Sequence, residues 1–284
     1  MDVDVTRAFH VLPDFRTTVA CGRLSLADIC HLRTICERLG IVGRMSNERT
    51  PIAPPPTLYQ FLEARAGVEF ASLLLMLPLL RLSAAPGEER PVIVLPGFMA
   101  NDTSTWVLRR FLEDIGYAVT GWGLGRNTGP GQPLIERLVE RAVTLNKGHG
   151  QRINLVGWSR GGTIAREIAR ARPDLVRQVI TLGSPVKGGP SATSIGRLMQ
   201  ASTGMTEAQI QQLIKQRERT PIRVPVTALY SKTDGVVSWP AAIDDTNPDV
   251  EHVEVQSSHV GLGVNAQVFR IVAERLNQPR KRHA

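Results

Sequence analysis

The chain has 284 residues, 42% of them hydrophobic and 21% charged, the balance of a soluble globular protein with one sizeable core and appendages. Its net charge of +8 is mostly arginine and is scattered, without an aromatic-interleaved basic patch, so no nucleic-acid surface is expected. The start, Met1-Asp2-Val3-Asp4-Val5, lacks the positive region and apolar core of a signal peptide, and an odd set of cysteines, Cys21, Cys30 and Cys36, without Cys-x-x-Cys suits reduced thiols in a cytoplasmic protein. The spacing of Cys30, His31 and Cys36 fits no common zinc pattern, so no metal is expected.

Periodicity predicts a helix over 26–39, closed by Gly40, within a helical N-terminal extension of residues 1–50. Residues 51–90 combine a stiff linker, with prolines at 51, 54, 55 and 56, and a helical segment over 57–82. Its most apolar stretch, 68–82, is short for a membrane span and contains Glu69 and Pro78. A buried or surface-lying amphipathic helix is therefore expected. From Pro91 onward short strands alternate with helices, the signature of a parallel sheet covered on both faces. Strands are predicted at 92–95, 117–120, 153–156, 176–182, 225–230 and 250–255, and helices at 105–115, 133–145, 161–170 and 264–276. Residues 91–284 thus read as a doubly wound, mostly parallel α/β domain of about six strands. An insert at 187–221 breaks the alternation. Leu198 and Met199 mark one amphipathic helix in it, and Ile210, Leu213 and Ile214 mark another. Such an insert reads either as a lid with an apolar underside or as a packing helix pair without gating.

The most informative stretch is Gly157-Trp158-Ser159-Arg160-Gly161, a G-x-S-x-G between an apolar strand run and a helical pattern. This is the context of a nucleophile elbow, a strained strand-to-helix turn that raises a serine hydroxyl above a sheet. A serine needs a base, usually a histidine held by a carboxylate. After Ser159 come His252, inside a strand pattern, His283, in the basic tail, and His259, in the loop Gln256-Ser257-Ser258-His259-Val260-Gly261 after the last strand. Loops there gather ligands, so His259 is the candidate base. Asp234, beside Gly235 after the preceding strand, is the candidate acid; Asp244, Asp245 and Asp249 lie in a polar, proline-containing stretch and are expected at the surface. Two amides should stabilise an oxyanion: that of Arg160, directly after the serine, and one from the loop Leu95-Pro96-Gly97-Phe98-Met99. Phe98 is the first choice and Met99 the second. Phe98, Met99, Trp158 and Leu262 would offer apolar walls for an acyl chain.

The elbow, acid and histidine in this order, with Leu95-Pro96-Gly97-Phe98 upstream and Thr181-Leu182-Gly183-Ser184-Pro185 downstream, resemble the serine esterase and lipase branch of the α/β-hydrolase superfamily over residues 91–277. The resemblance implies a hydrolase of small-molecule or lipid esters that needs no cofactor, with Ser159, Asp234 and His259 in the family's roles. Two departures stand out: Pro96-Gly97 replaces the His-Gly of many lipases, and Trp158 replaces the histidine before their nucleophile. An acyltransferase or thioesterase using the same triad, or a non-catalytic binding protein of the same fold, are the alternatives. The basic surface allows a transient contact with membrane headgroups, although an arginine-rich proteome accounts for the charge as well.

Overall fold

In β1 (Pro91–Leu95), Val92 and Val94 face one way and Ile93 and Leu95 the other, because successive side chains alternate across a strand, and both sets are buried. A strand that is apolar on both faces must be covered on both. The same holds for β3 (Ile153–Trp158), β4 (Val176–Leu182) and β5 (Val226–Tyr230), whereas β2 (Ala118–Gly121) and β6 (Val250–Glu254) are half-open. The structure, a computed structural model, describes residues 52–278; the helix expected over 26–39, the three cysteines and His283 lie outside them. All six strands are parallel, in the order β2-β1-β3-β4-β5-β6. The winding direction therefore reverses between β1 and β3, and the loops leaving their carboxyl ends diverge there and open a crevice.

Helices close both faces. On one, α2 (Ala66–Ser83), α3 (Trp106–Asp114) and α9 (Ala266–Asn277) share a core with Val92, Val94, Val156 and Leu182, with the Phe111 and Phe269 rings 5.3 Å apart. On the other, α4 (Gly131–His149) and α5 (Arg160–Ala171) pack on Ile93, Leu95, Leu155 and Val179. The insert holds a 3-10 turn (Gly189–Ala192), α6 (Gly196–Thr203) and α7 (Glu207–Arg219), whose start is fixed by a capping box between Thr206 and Gln209. Its base is tied to the loop after Asp234: the Ser194 amide donates to Val236 O at 2.9 Å, and the Ser238 amide, just before the short α8 (Trp239–Ala242), to Ala192 O at 2.9 Å.

The segment before the sheet differs from expectation. Thr57–Ser83 runs through α1 (Thr57–Phe61), a 3-10 turn (Leu62–Arg65) and α2, with Pro78 inside α2. It is apolar on both sides rather than amphipathic. Leu73, Leu77 and Leu80, spaced i, i+4, i+7, are buried in the core, while Val68, Leu74, Leu75, Leu79 and Leu82 face outward and are exposed. Asp244 also departs from its expected surface position. It is buried and paired with the buried Arg166. Burial alone would raise its carboxyl, but Arg166 and the Thr246 amide outweigh that and hold it well below the usual carboxylate range.

The two sides of α2 should respond differently to truncation. Leu73→Ala is expected to destabilise the fold by about 2–5 kcal/mol through the cavity it leaves, and Leu75→Ala, at an 83% exposed position, by no more than about 0.5 kcal/mol. Urea unfolding of the two variants measures the contrast.

Candidate active site

Ser159 occupies the single residue between β3 and α5, with φ 53° and ψ −124°. A residue with a side chain adopts this region only when its surroundings impose it. Here a Cβ on Gly157 would lie 2.4 Å from the Gly162 Cα, so glycine at 157 is what lets α5 sit directly on the end of β3. The Ser159 amide donates to Leu182 O of β4 at 2.8 Å, and its carbonyl accepts from the Gly162 amide at 3.0 Å. The first amides of α5, which have no acceptor within the helix, begin directly beneath the serine.

Two strands away, Asp234 is buried in the loop after β5. Its Oδ1 accepts from the Val236 and Val237 amides at 2.8 and 2.7 Å, which leaves Oδ2 for the His259 Nδ1, 2.7 Å away. A carboxylate only accepts, so Nδ1 carries the proton and Nε2 presents its lone pair. Burial would push the imidazolium down, but the charge and hydrogen bond of Asp234, with the charge of Glu63 added, overcome it and place His259 above its ordinary value of 6.5. Gly183, at the end of β4 with φ 57°, passes between: a Cβ there would sit 3.1 Å from Asp234 Oδ2 and 3.2 Å from His259 Nδ1. The Trp158 indole N–H donates to the His259 carbonyl at 3.1 Å, joining the elbow to the histidine loop. Ser159, Asp234 and His259 thus stand on three loops at one edge of the sheet.

The loop after β1 is held from outside. Asn127, buried, donates its side-chain amide to Pro96 O at 2.7 Å and its backbone amide to Ala100 O at 2.8 Å, and it accepts the Met99 amide at 3.0 Å. That last bond commits Met99 N–H, the second-choice oxyanion donor. The Phe98 amide has no backbone acceptor among the described residues. Asn101 caps the following turn through Thr103 N at 3.0 Å. The expected acyl walls separate. Phe98 and Trp158 are half-buried and Met99 is exposed, but Leu262 is fully buried among core residues. An apolar cavity of about 160 Å³ lies instead beneath the insert, between Arg160, Ile164, Pro185, Met199, Ile210 and Ile214.

Other residues that hold this edge were not singled out by the sequence reading. Glu63, in the turn between α1 and α2, accepts the amides of Gly235, His259 and Val260, at 2.8, 2.8 and 2.9 Å. Glu69 accepts from Ser258 N at 2.8 Å and Ser257 Oγ at 2.5 Å. Their signal in the sequence was two carboxylates inside a mostly apolar segment.

No protein-family model matches the chain. Among solved structures, lipase B of Aspergillus fumigatus superposes with a TM-score of 0.55 at 14% identity, over 70% of this chain and 55% of that one. A mature lipase of Bacillus licheniformis matches at 0.53 and 13% identity, over 68% and 94%. A metagenomic carboxyl esterase matches at 0.52 and 17%, over 68% and 76%. The chain has the α/β-hydrolase fold. In this fold, the switch point between β1 and β3 is where the elbow and the loop 96–101 face one another: a Cβ at Gly97 would lie 3.4 Å from the Ser159 Cβ.

Gly157→Ala should be costly, because the 2.4 Å approach to Gly162 cannot be relieved by a rotamer change. A loss of about 1–3 kcal/mol in urea unfolding is expected, together with a loss of fluorophosphonate labelling at Ser159.

Proposed function

We propose that the protein hydrolyses carboxylic esters through an acyl-enzyme on Ser159. The observation that carries this reading is the 2.7 Å Asp234–His259 bond on the sheet edge where Ser159 is held in its strained turn. His259 Nε2 takes the Ser159 proton as Oγ attacks the carbonyl carbon, and the amides of Arg160 and Phe98 receive the oxyanion. Collapse expels the alcohol, which leaves with the proton from His259. Water, deprotonated by the same imidazole, attacks the acyl-enzyme, and a second collapse releases the acid and restores the serine. Asp234 keeps its charge throughout and stabilises the imidazolium. The cavity beneath the insert is the site for the acyl chain.

Incubation with p-nitrophenyl esters of increasing acyl length tests the reading. Ser159→Ala is expected to abolish turnover; a wild-type rate in that variant would refute it. Asp234→Asn should lower kcat on the order of 10³–10⁴-fold by favouring the wrong tautomer. Neutral imidazole is the base, so kcat/KM falls as pH drops through the His259 pKa. With that pKa raised, the acid limb should lie above pH 6.5.

The reading extends to a transient contact with a lipid surface. Thr57–Ser83, 27 residues, is long and apolar enough to cross a membrane: an 18-residue window within it has a mean hydropathy of 1.5, and 11% of that window is buried. Three leucines and two carboxylates fasten it to the sheet domain, so it lies on a bilayer rather than spanning one. Its charges are turned to protein partners: Glu63 and Glu69 to the histidine loop, Arg65 to Thr233, Arg81 to Asp114 at 2.6 Å. What faces outward is mostly apolar, with Leu58, Phe61, Val68, Leu75 and Leu82 all well exposed, the kind of surface that marks a membrane or partner contact. The wild type should float with phosphatidylcholine–phosphatidylglycerol vesicles in a sucrose gradient, and Leu75→Glu/Leu79→Glu should not. Wild-type protein left at the bottom would remove the contact.

A further inference from the structure

We infer that Glu63 is a positioning residue of the active site, whose carboxylate ties the Asp234 loop to the His259 loop, so that the segment before the sheet is a working part of the catalytic edge. The inference rests on the triad reading above and adds a residue to it from outside the region of family resemblance.

One oxygen of Glu63, Oε1, accepts two amides from different loops, Gly235 N and His259 N, each at 2.8 Å. The first belongs to the residue after the acid and the second to the base itself. Oε2 takes Val260 N at 2.9 Å. A link therefore runs parallel to the 2.7 Å bond between Asp234 and His259, and it acts on backbone rather than side chain. These amides lie beyond the strand ends, where no ladder supplies an acceptor, and a buried amide without one is costly. Three donors converging on one group call for a group that only accepts. A glutamine could offer one oxygen, and its NH₂ would then confront an N–H.

The rest of the segment repeats the arrangement. Arg65 donates to Thr233 O at 3.1 Å, on the acid loop. Glu69 holds the base loop through Ser258 N at 2.8 Å and reaches Asn265 Nδ2 at 3.0 Å. Leu73, Leu77 and Leu80 anchor the helix behind these contacts. The charges that bear on His259 are Asp234, from the loop after β5, and Glu63, from the turn before α2; Arg65 is turned away to Thr233 and Glu69. Glu63 thus has an electrostatic part as well as a geometric one: its negative charge favours the imidazolium.

The test compares wild type, Glu63→Gln and Glu63→Ala by steady-state hydrolysis of p-nitrophenyl butyrate across pH 5–9, with thermal unfolding in parallel. It also records the low-field proton resonance of the His259 Nδ1–H. Glu63→Ala is expected to lower kcat on the order of 10²-fold, as a misplacement of about 1 Å does, with little change in KM. Glu63→Gln, which keeps volume and one acceptor, should fall between the two. In both variants the acid limb of kcat/KM should move to lower pH, and in Glu63→Ala the Nδ1–H resonance should broaden or vanish. A merely structural role would leave the acid limb in place in folded protein. Wild-type kcat, acid limb and resonance in Glu63→Ala would overturn the inference. If Glu63→Ala does not fold, the acid limb and resonance of Glu63→Gln decide it. If the wild type hydrolyses no ester and Ser159 takes no fluorophosphonate, the triad reading fails by itself, and the resonance in the variants still decides whether Glu63 holds the pair.

Discussion

The backbone of Ser159, at φ 53° and ψ −124°, is the constraint on which the rest of the edge depends. Such a conformation costs on the order of 1–3 kcal/mol and persists only where neighbours determine it. Here β4 takes the serine amide, α5 takes its carbonyl, and the glycine contact between 157 and 162 leaves no room for a relaxed turn. Relaxation would draw the hydroxyl back toward the sheet and away from the first amides of the helix. The burial of α5 on Leu155 and Val179, far below the loop, is therefore part of what holds the Ser159 hydroxyl in place.

Around that point the site is assembled by carboxylates that collect backbone amides. Asp234 takes Val236 and Val237, Glu63 takes Gly235, His259 and Val260, and Glu69 takes Ser258. Parallel strands end in loops whose amides have lost their ladder, so each loop at this edge needs acceptors from elsewhere. Supplying them as charged acceptors gives stronger bonds than carbonyls would. It also accumulates negative charge beside a histidine whose protonated form is the one that needs support.

The sheet was legible because a buried parallel strand shows its apolar character on both faces, as in Val92 to Leu95 and Val176 to Leu182. Boundaries shifted where tertiary pairing extends an element beyond its apolar run. β3 continues to Trp158 because Trp158 pairs with Leu182, and α5 begins at Arg160, before the apolar period at Ile164. Ser159, Asp234 and His259 were readable as candidates because each lies past the end of its own strand and within two residues of a glycine. Glu63 was not, for its partners lie 172 to 197 residues away and are amides, which carry no residue identity. Asp244 was misplaced for the same reason: its partner, Arg166, is 78 residues earlier. Leu262, three residues past His259, suggested a substrate wall, but the 3-10 turn Gly261–Gly263 rotates it into the core.

The arginine excess takes on a different meaning once its members are placed. Arg90 is buried and fastens the end of α9 through Leu276 O and Asn277 Oδ1. Arg160 is buried against the Phe98 ring, and Arg166 against Asp244. These guanidiniums are internal fasteners, the use for which a planar fork of donors suits arginine better than lysine. These three contribute less to the surface field than their charge suggests, so the net charge of +8 is not all available to anionic headgroups. The lipid contact proposed for Thr57–Ser83 would then have to come from area, at about 25 cal/mol per Å² of apolar surface removed from water. An attraction of that origin depends weakly on salt, which separates it from a headgroup-driven contact.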